Sequence, residues 1–347
     1  SREKVTMDST DLHQDLNATI FNTSCDVYIY QETAKILFPI FYTIVFLVGI
    51  SGNILVLYVT LQKQQKFNST TLYLTNLAIS DTLFALALPG RITYYIREFD
   101  WPFGDLMCRF STVIFYTNTY TGIAFMTCIS VDRYFAMVHP HRLIKFRKVE
   151  VVKVICGLVW LLVFFQTAPL LFRNLLGSNQ GKKTCMEYFN FEGSPFLPYL
   201  LLLACTISFC MPLGVILGCY SKINLKLSKT AKQNPMTSRS GRNRRANNII
   251  LVILLTFVLC FSPYHVNLMQ FMVRKILYQP SCEELKAFKM SLQVTVSMMN
   301  INCCLDPIIY FFAIKTYKQR VISLFKGYLS MSTLSSKTVS DNSSSNS

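Results

Sequence analysis

The stretch "MTCISVDRYFAMVHPHR", residues 126–142, ends a long apolar run with an adjacent acid and base, Asp132 and Arg133, and then runs into a basic loop. Such an ending marks a chain leaving a hydrocarbon layer if other segments end the same way. Seven runs with few or no charges recur: Ile36 to Leu61, Thr70 to Tyr95, Phe110 to Val131, Val151 to Phe172, Ser194 to Cys219, Ile249 to Met272 and Met290 to Ile314. A bilayer core of about 30 Å needs about 20 helical residues, and each run reaches that length. The composition agrees, with 52% hydrophobic, 14% aromatic and only 15% charged residues over 347. The expected fold is an all-α membrane protein. A seven-transmembrane helix bundle over residues 34–314 lies between an N-terminal segment, 1–33, and a C-terminal portion from 315.

An odd number of spans puts the termini on opposite sides, and the net charge of +16 decides which is which. Segments after spans one, three and five carry Lys63 and Lys66; then Arg142, Lys145, Arg147 and Lys148; then a run from Lys222 to Arg245. The alternate loops mix signs, with Arg97 beside Glu98 and Asp100, and Lys275 near Glu283 and Glu284. The positive-inside rule therefore places the N-terminus outside the cell. The sequons at Asn17 and Asn22 lie on that side, where N-glycosylation is expected. The first 35 residues are polar, so the first span is expected to do the targeting.

Eight of the twelve cysteines fall inside spans and read as small apolar side chains. Cys25, Cys108, Cys185 and Cys282 face an oxidising compartment, and four cysteines allow three pairings. Cys108 at the outer end of span three and Cys185 in the following outer loop are the natural first pair, which leaves Cys25 with Cys282.

Ionisable groups at membrane depth are costly and mark function by default. Here they are Asp81, Arg91, His265 and Asp306, with Asn53, Asn118, Asn300 and Asn302 available to form a polar cluster. A packed, satisfied side chain is the bland alternative. It suits His265 better than two acids with no adjacent base. Pro89, Pro169, Pro212, Pro263 and Pro307 lie inside apolar runs and predict kinks in helices built to shift.

These residues together resemble the class A, rhodopsin-like G-protein-coupled receptors over nearly the whole chain. The marks appear in order: Gly52-Asn53, "NLAISD" ending at Asp81, Trp101 with Phe103-Gly104, Cys108, Asp132-Arg133-Tyr134, Trp160, Pro212 with Tyr220, "CFSP" at Cys260 to Pro263, and "DPIIY" at Asp306 to Tyr310. The resemblance implies a G-protein switch at Asp132, Arg133, Tyr134, Tyr220 and Tyr310, with Arg133 held by its neighbour at rest and freed on activation. As a mere topology anchor, Arg133 would gain nothing from Asp132 beside it. The resemblance also implies a sodium site at Asp81, Asn118, Asn302 and Asp306, against which Gly122 stands where serine is common. Three other departures matter. Phe261 replaces the usual tryptophan, Asp306 replaces asparagine, and "SGRNRRANN" at the start of span six offers no acid to lock Arg133, which predicts appreciable basal signalling.

Within the family, "NSTTLYLTNLAISDTLFALALPGRITYY", "FYTNTYTGIAFMTC", "CMEY" and "NCCLDPIIYFFA" resemble the oxysterol receptors that direct lymphocyte migration. That likeness implies a hydroxylated sterol of the dihydroxycholesterol type as ligand, held by Arg91, Tyr116, Tyr120 and Tyr264. It further implies an inhibitory-family heterotrimeric G protein as partner and the plasma membrane as location. The residues agree: Tyr116 and Tyr120 share one helix face, and each phenol carries an apolar ring with one polar tip. Arg91 reads either as a donor to a ligand oxygen or as a base snorkelling to the headgroups. A chemokine receptor is the runner-up, from the Cys25–Cys282 pair and the Asp26, Tyr28 and Tyr30 cluster. A transporter would show internal repeats, and none is visible. No nucleophile-base set or metal-ligand spacing supports an enzyme, and no cofactor or nucleic-acid partner is expected.

After span seven, "IKTYKQRVISLFKG" places Tyr317, Val321, Leu324 and Phe325 at helical spacing among bases and predicts an amphipathic membrane-surface helix over 315–327. The remainder, 328–347, is Ser/Thr-rich and reads as a disordered cytosolic tail for receptor kinases and arrestin.

Overall fold

The computed structural model describes residues 30–62, 68–179, 181–186, 196–233, 241–324 and 326–327. A chain in hydrocarbon must satisfy its backbone internally, and the apolar runs accordingly form helices. The first four spans are α1 (Gln31–Leu61), α2 (Ser69–Ile96), α3 (Gly104–Val138) and α4 (Val149–Thr167). Span five is broken into α5 (Leu197–Cys205) and α6 (Met211–Gln233) by a π-helical turn, Thr206–Cys210. Span six consists of α7 (Gly241–Thr256) and α8 (Ser262–Leu277) about a second π turn, Phe257–Phe261. Span seven is α9 (Cys282–Asn300) and α10 (Asn302–Ala313), followed by a short helix over 315–324. Asn68 caps α2 by accepting from Thr71 N–H at 2.9 Å, and Ser281 with Glu284 forms a capping box on α9.

Six spans are long and apolar enough to cross a membrane by composition alone, and α3 is the one that falls short. Its position explains why. It runs through the bundle centre against α2, α4 and α6, and Thr112, Asn118, Thr119, Thr121 and Ser130 are buried on it. The outer helices instead present Leu37, Ile44, Leu162, Leu203 and Leu255 outward, as lipid-facing surfaces do.

The prolines act differently from span to span. Pro89 and Pro307 lie within helices, as expected, whereas Pro169 sits in a 3-10 turn, Ala168–Phe172. Pro212 and Pro263 each stand second in the helix after a π turn, where the wider turn accommodates the missing N–H. On α1, a Cβ at Gly52 would come within 2.5 Å of the Pro307 ring, so glycine permits the close approach of α1 to α10.

Over the outer end lies an antiparallel hairpin, β1 (Leu176–Asn179) and β2 (Lys182–Cys185), with Leu176 opposite Cys185. The Cys108–Cys185 disulfide fixes it to α3. Cys282 is also disulfide-bonded, while Cys25, Asn17, Asn22 and the 328–347 tail lie outside the described residues. In the terminal helix, Tyr317 is buried edge-on against Tyr310, while Leu324, expected on the same apolar face, is exposed.

Candidate functional site

Beneath the hairpin, α3, α4, α5 and α8 enclose a cavity of about 340 Å³. Its wall is largely aliphatic, with Leu170, Leu197, Leu200, Leu201 and Leu268, and the phenols of Tyr116, Tyr120 and Tyr264 stand among them. Tyr116 and Tyr120, one helical turn apart, stack at 6.3 Å and 12°. Three of the four residues expected to hold a ligand are thus brought together. The fourth, Arg91, lines a separate small space with Phe84, Leu88 and Phe115, and Met186 borders both. The Arg91 Nη1 donates to Met186 Sδ at 2.9 Å, its guanidinium lies 5.7 Å from the Tyr95 and Phe115 ring centroids, and its Nε has no hydrogen-bond acceptor among the described residues. The half-buried guanidinium is thus turned to Met186 and to two aromatic rings.

Sequence reasoning missed Thr112, Gln166, Arg173 and Met186 as lining residues. Only the polarity of Gln166 within "LLVFFQTAP" could have flagged one of them. His265, just below the phenols, stacks on Phe209 at 4.3 Å and 4° and donates from Nδ1 to the Phe261 carbonyl at 2.8 Å. It is packed as the bland reading held, although its Nε2 is buried without a partner among the described residues.

The hairpin is clamped from the side as well. Glu98 accepts from Lys182 at 2.9 Å, Lys35 at 3.0 Å and Gln31 at 3.2 Å, and these donors hold its carboxyl down at about 2. Trp101 N–H donates to the Lys183 carbonyl at 2.7 Å, and Lys183 N–H to Asp100 at 3.1 Å. Arg97 and that backbone N–H lower the Asp100 carboxyl too.

In mid-bundle, Asn118 donates to Asp81 Oδ1 at 2.9 Å, and Tyr310 donates to Asn53 at 3.0 Å and to Asp81 Oδ2 at 3.5 Å. Asp306 is fully buried, and neither of its carboxylate oxygens meets a hydrogen-bond donor among the described residues, nor does Asn302 Nδ2 meet an acceptor. No group of three or more His, Cys, Asp or Glu able to hold a metal occurs among the described residues.

At the end of the bundle away from the hairpin, Asp132 Oδ2 accepts from Arg133 at 2.6 Å and from Thr70 at 2.8 Å, and Arg133 also donates to the Thr70 hydroxyl. Asp132 Oδ1 accepts from Arg147 Nε at 2.7 Å. The missing acid on span six therefore does not leave Arg133 unrestrained, because α2 supplies a cross-helix partner that the sequence did not announce. Tyr134 pairs with His139 at 3.1 Å, and Tyr220 is half-buried on α6.

The family model for "7 transmembrane receptor (rhodopsin family)" matches residues 52–310. The chain is 51% identical over 318 residues to G-protein coupled receptor 183 of Rattus norvegicus, covering 91% of this chain and 89% of that protein. It is 49% identical to the Homo sapiens receptor of the same name, with 91% and 88% covered, and 47% identical to G-protein coupled receptor 183-A of Danio rerio, with 90% and 85% covered. Sequence marks, helix order and the Cys108–Cys185 disulfide thus agree with the comparisons: the chain is a multi-pass membrane protein of the rhodopsin family, a class A G-protein-coupled receptor.

Proposed function

We propose that the receptor senses hydroxylated sterols of the dihydroxycholesterol type at the plasma membrane, with its N-terminus outside the cell. It signals through inhibitory-family G proteins to direct immune-cell migration. The cavity carries the reading: about 340 Å³ lies within the range of small-molecule sites, and leucines interrupted by Tyr116, Tyr120 and Tyr264 suit a rigid hydrocarbon with a few hydroxyls. Arg91 supplies a further donor, reached when the ligand displaces Met186. A thioether is a weak acceptor, so a ligand oxygen is the better partner for that guanidinium.

A polyphosphate would require convergent bases, and Arg173 is the one cation on the cavity wall among the described residues. Two further elements belong to the same reading. Asp81 and Asp306, with Asn118 and Asn302, offer carboxylate and amide oxygens suited to a sodium ion, which would neutralise charge between α2 and α10. Asn17 and Asn22 carry glycans, Cys25 pairs with Cys282, and the 328–347 tail recruits receptor kinases and arrestin.

The test is a G-protein and migration assay with a panel of oxysterols, chemokines and nucleotides on cells expressing the receptor. Response to the oxysterols alone is expected; a response confined to a chemokine or nucleotide overturns the reading.

A further inference from the structure

Asp132 is the most enclosed charge at the cytosolic end, its side chain only 3% exposed, and its two oxygens are divided between two arginines. Oδ2 serves Arg133, its neighbour on α3, together with Thr70. Oδ1 serves Arg147, which arrives from elsewhere. Arg147 closes the 3-10 turn Ile144–Arg147 in the second cytosolic loop, and its Nη2 also reaches Ser69 Oγ at 3.3 Å on the first turn of α2. Packing puts it there, since Phe146 beside it lies 5.9 Å from the Phe135 ring on α3. Among the described residues, Arg133 and Arg147 are the two bases paired with Asp132.

The likeness to the rhodopsin family implies that Arg133 leaves Asp132 when the switch is thrown. Removing one partner from a buried ion pair leaves an uncompensated charge and is strongly unfavourable. If Asp132 held Arg133 alone, that penalty would oppose every activation event. Because Arg147 binds the other oxygen from a separate segment, Arg133 can depart while the carboxylate stays paired.

We infer that Arg147 is a positioning residue for the switch: it is the standing counter-cation of Asp132, which keeps that carboxylate compensated when Arg133 leaves and so sets how readily the receptor activates. The inference follows from receptor-family membership and does not depend on which ligand binds. It also gives one base of the loop a role distinct from its share of the positive-inside signal.

The experiment is a double-mutant cycle on the full-length receptor at matched surface density. Its readouts are ligand-free nucleotide exchange on a panel of heterotrimeric G proteins and, without any G protein, the opening distance between spin labels on the cytosolic ends of α3 and α7. Arg147→Ala is expected to lower ligand-free exchange about tenfold and to reduce the opened population, as losing one charge-assisted hydrogen bond to the open state implies. Arg147→Lys should restore most of it. In an Asp132→Asn background, where no charge needs compensation, Arg147→Ala should change neither readout. Should Arg147→Ala not reach the membrane, Arg147→Met keeps the stem without the charge and takes its place. An unchanged or raised exchange in the single variant, or an equal fall in the Asp132→Asn background, overturns the inference.

Discussion

Arg91 Nη1 and Met186 Sδ meet at 2.9 Å, and Met186 borders both the small space around Arg91 and the tyrosine-lined cavity. A half-buried guanidinium is thus met by a flexible, unbranched side chain. Met186 follows Cys185, whose disulfide holds it in place, and its backbone sits at φ 66°, a strained value for a side chain of that size.

If Arg91 serves a ligand hydroxyl, Arg91→Ala should weaken oxysterol potency about tenfold or more, since hydrogen bonds to charged groups contribute about 1.5–3 kcal/mol. Tyr116→Phe and Tyr120→Phe keep the rings and should each cost less. Dose-response curves of surface-matched receptors check this, and equal potency in all three would remove these residues from the site.

Cys108→Ser should abolish the ligand response, because the hairpin carrying Leu175 and Met186 onto the cavity would lose its tie to α3. Surface staining beside the signalling assay separates lost response from lost expression. Normal signalling at normal surface density would count against the tie.

The Glu98 clamp has a defined acid limit. Its carboxyl is depressed from 4.5 to about 2, so its contribution is fully present above about pH 4.5 and is lost as pH falls through about 2. Hydrogen exchange of the hairpin amides should therefore be flat from pH 7 to 5 after correction for intrinsic rates and should accelerate below. Glu98→Gln should give the faster exchange already at pH 7.

Thr70→Val keeps the shape of the side chain while removing the hydroxyl that donates to Asp132 and accepts from Arg133. Ligand-free nucleotide exchange should rise severalfold, up to about tenfold. Asn243→Glu, which adds an acid at the start of span six, should lower it. Basal exchange insensitive to both would mean that Arg133 is restrained by neither.

Gly52→Ala should destabilise the receptor by about 1–3 kcal/mol, the usual cost of overpacking, because the added carbon meets the Pro307 ring at 2.5 Å. A lowered thermal midpoint of purified receptor reads this out, and Gly157→Ala, which faces open space, is the matched control.

The spans were legible because hydrocarbon imposes length and apolarity, and the Asp132–Arg133 pair was legible because the two interrupt an apolar run. The centrality of α3 showed only indirectly, through its threonines and Asn118, which lower its apolarity because they face other helices. Tyr116 and Tyr120 could be paired from their spacing. The Arg91–Met186 contact could not, because it depends on a loop folding back 95 residues from Arg91. Arg147 was hidden among Arg142, Lys145 and Lys148, where charge alone gives a topology signal and only packing distinguishes one base from its neighbours. The π turns left no trace in the composition, since inserting one residue into a run of apolar side chains does not alter its hydropathy.

Those two turns, Thr206–Cys210 and Phe257–Phe261, lie side by side, with Phe209 of one stacked on Phe257 of the other at 6.3 Å. Each carries one residue more than an α-helical turn, and one residue corresponds to about 100° around a helix axis. In spans five and six the outer segment is therefore out of phase with the inner segment. The azimuth at which Cys205 and Tyr264 face the cavity is thereby offset from the one that an unbroken α-helix would carry over from the inner segments. Substitution can then retune the ligand-facing surface of α5 and α8 without rotating the inner surface of α6 and α7, so that specificity and coupling can diverge separately on one continuous pair of rods.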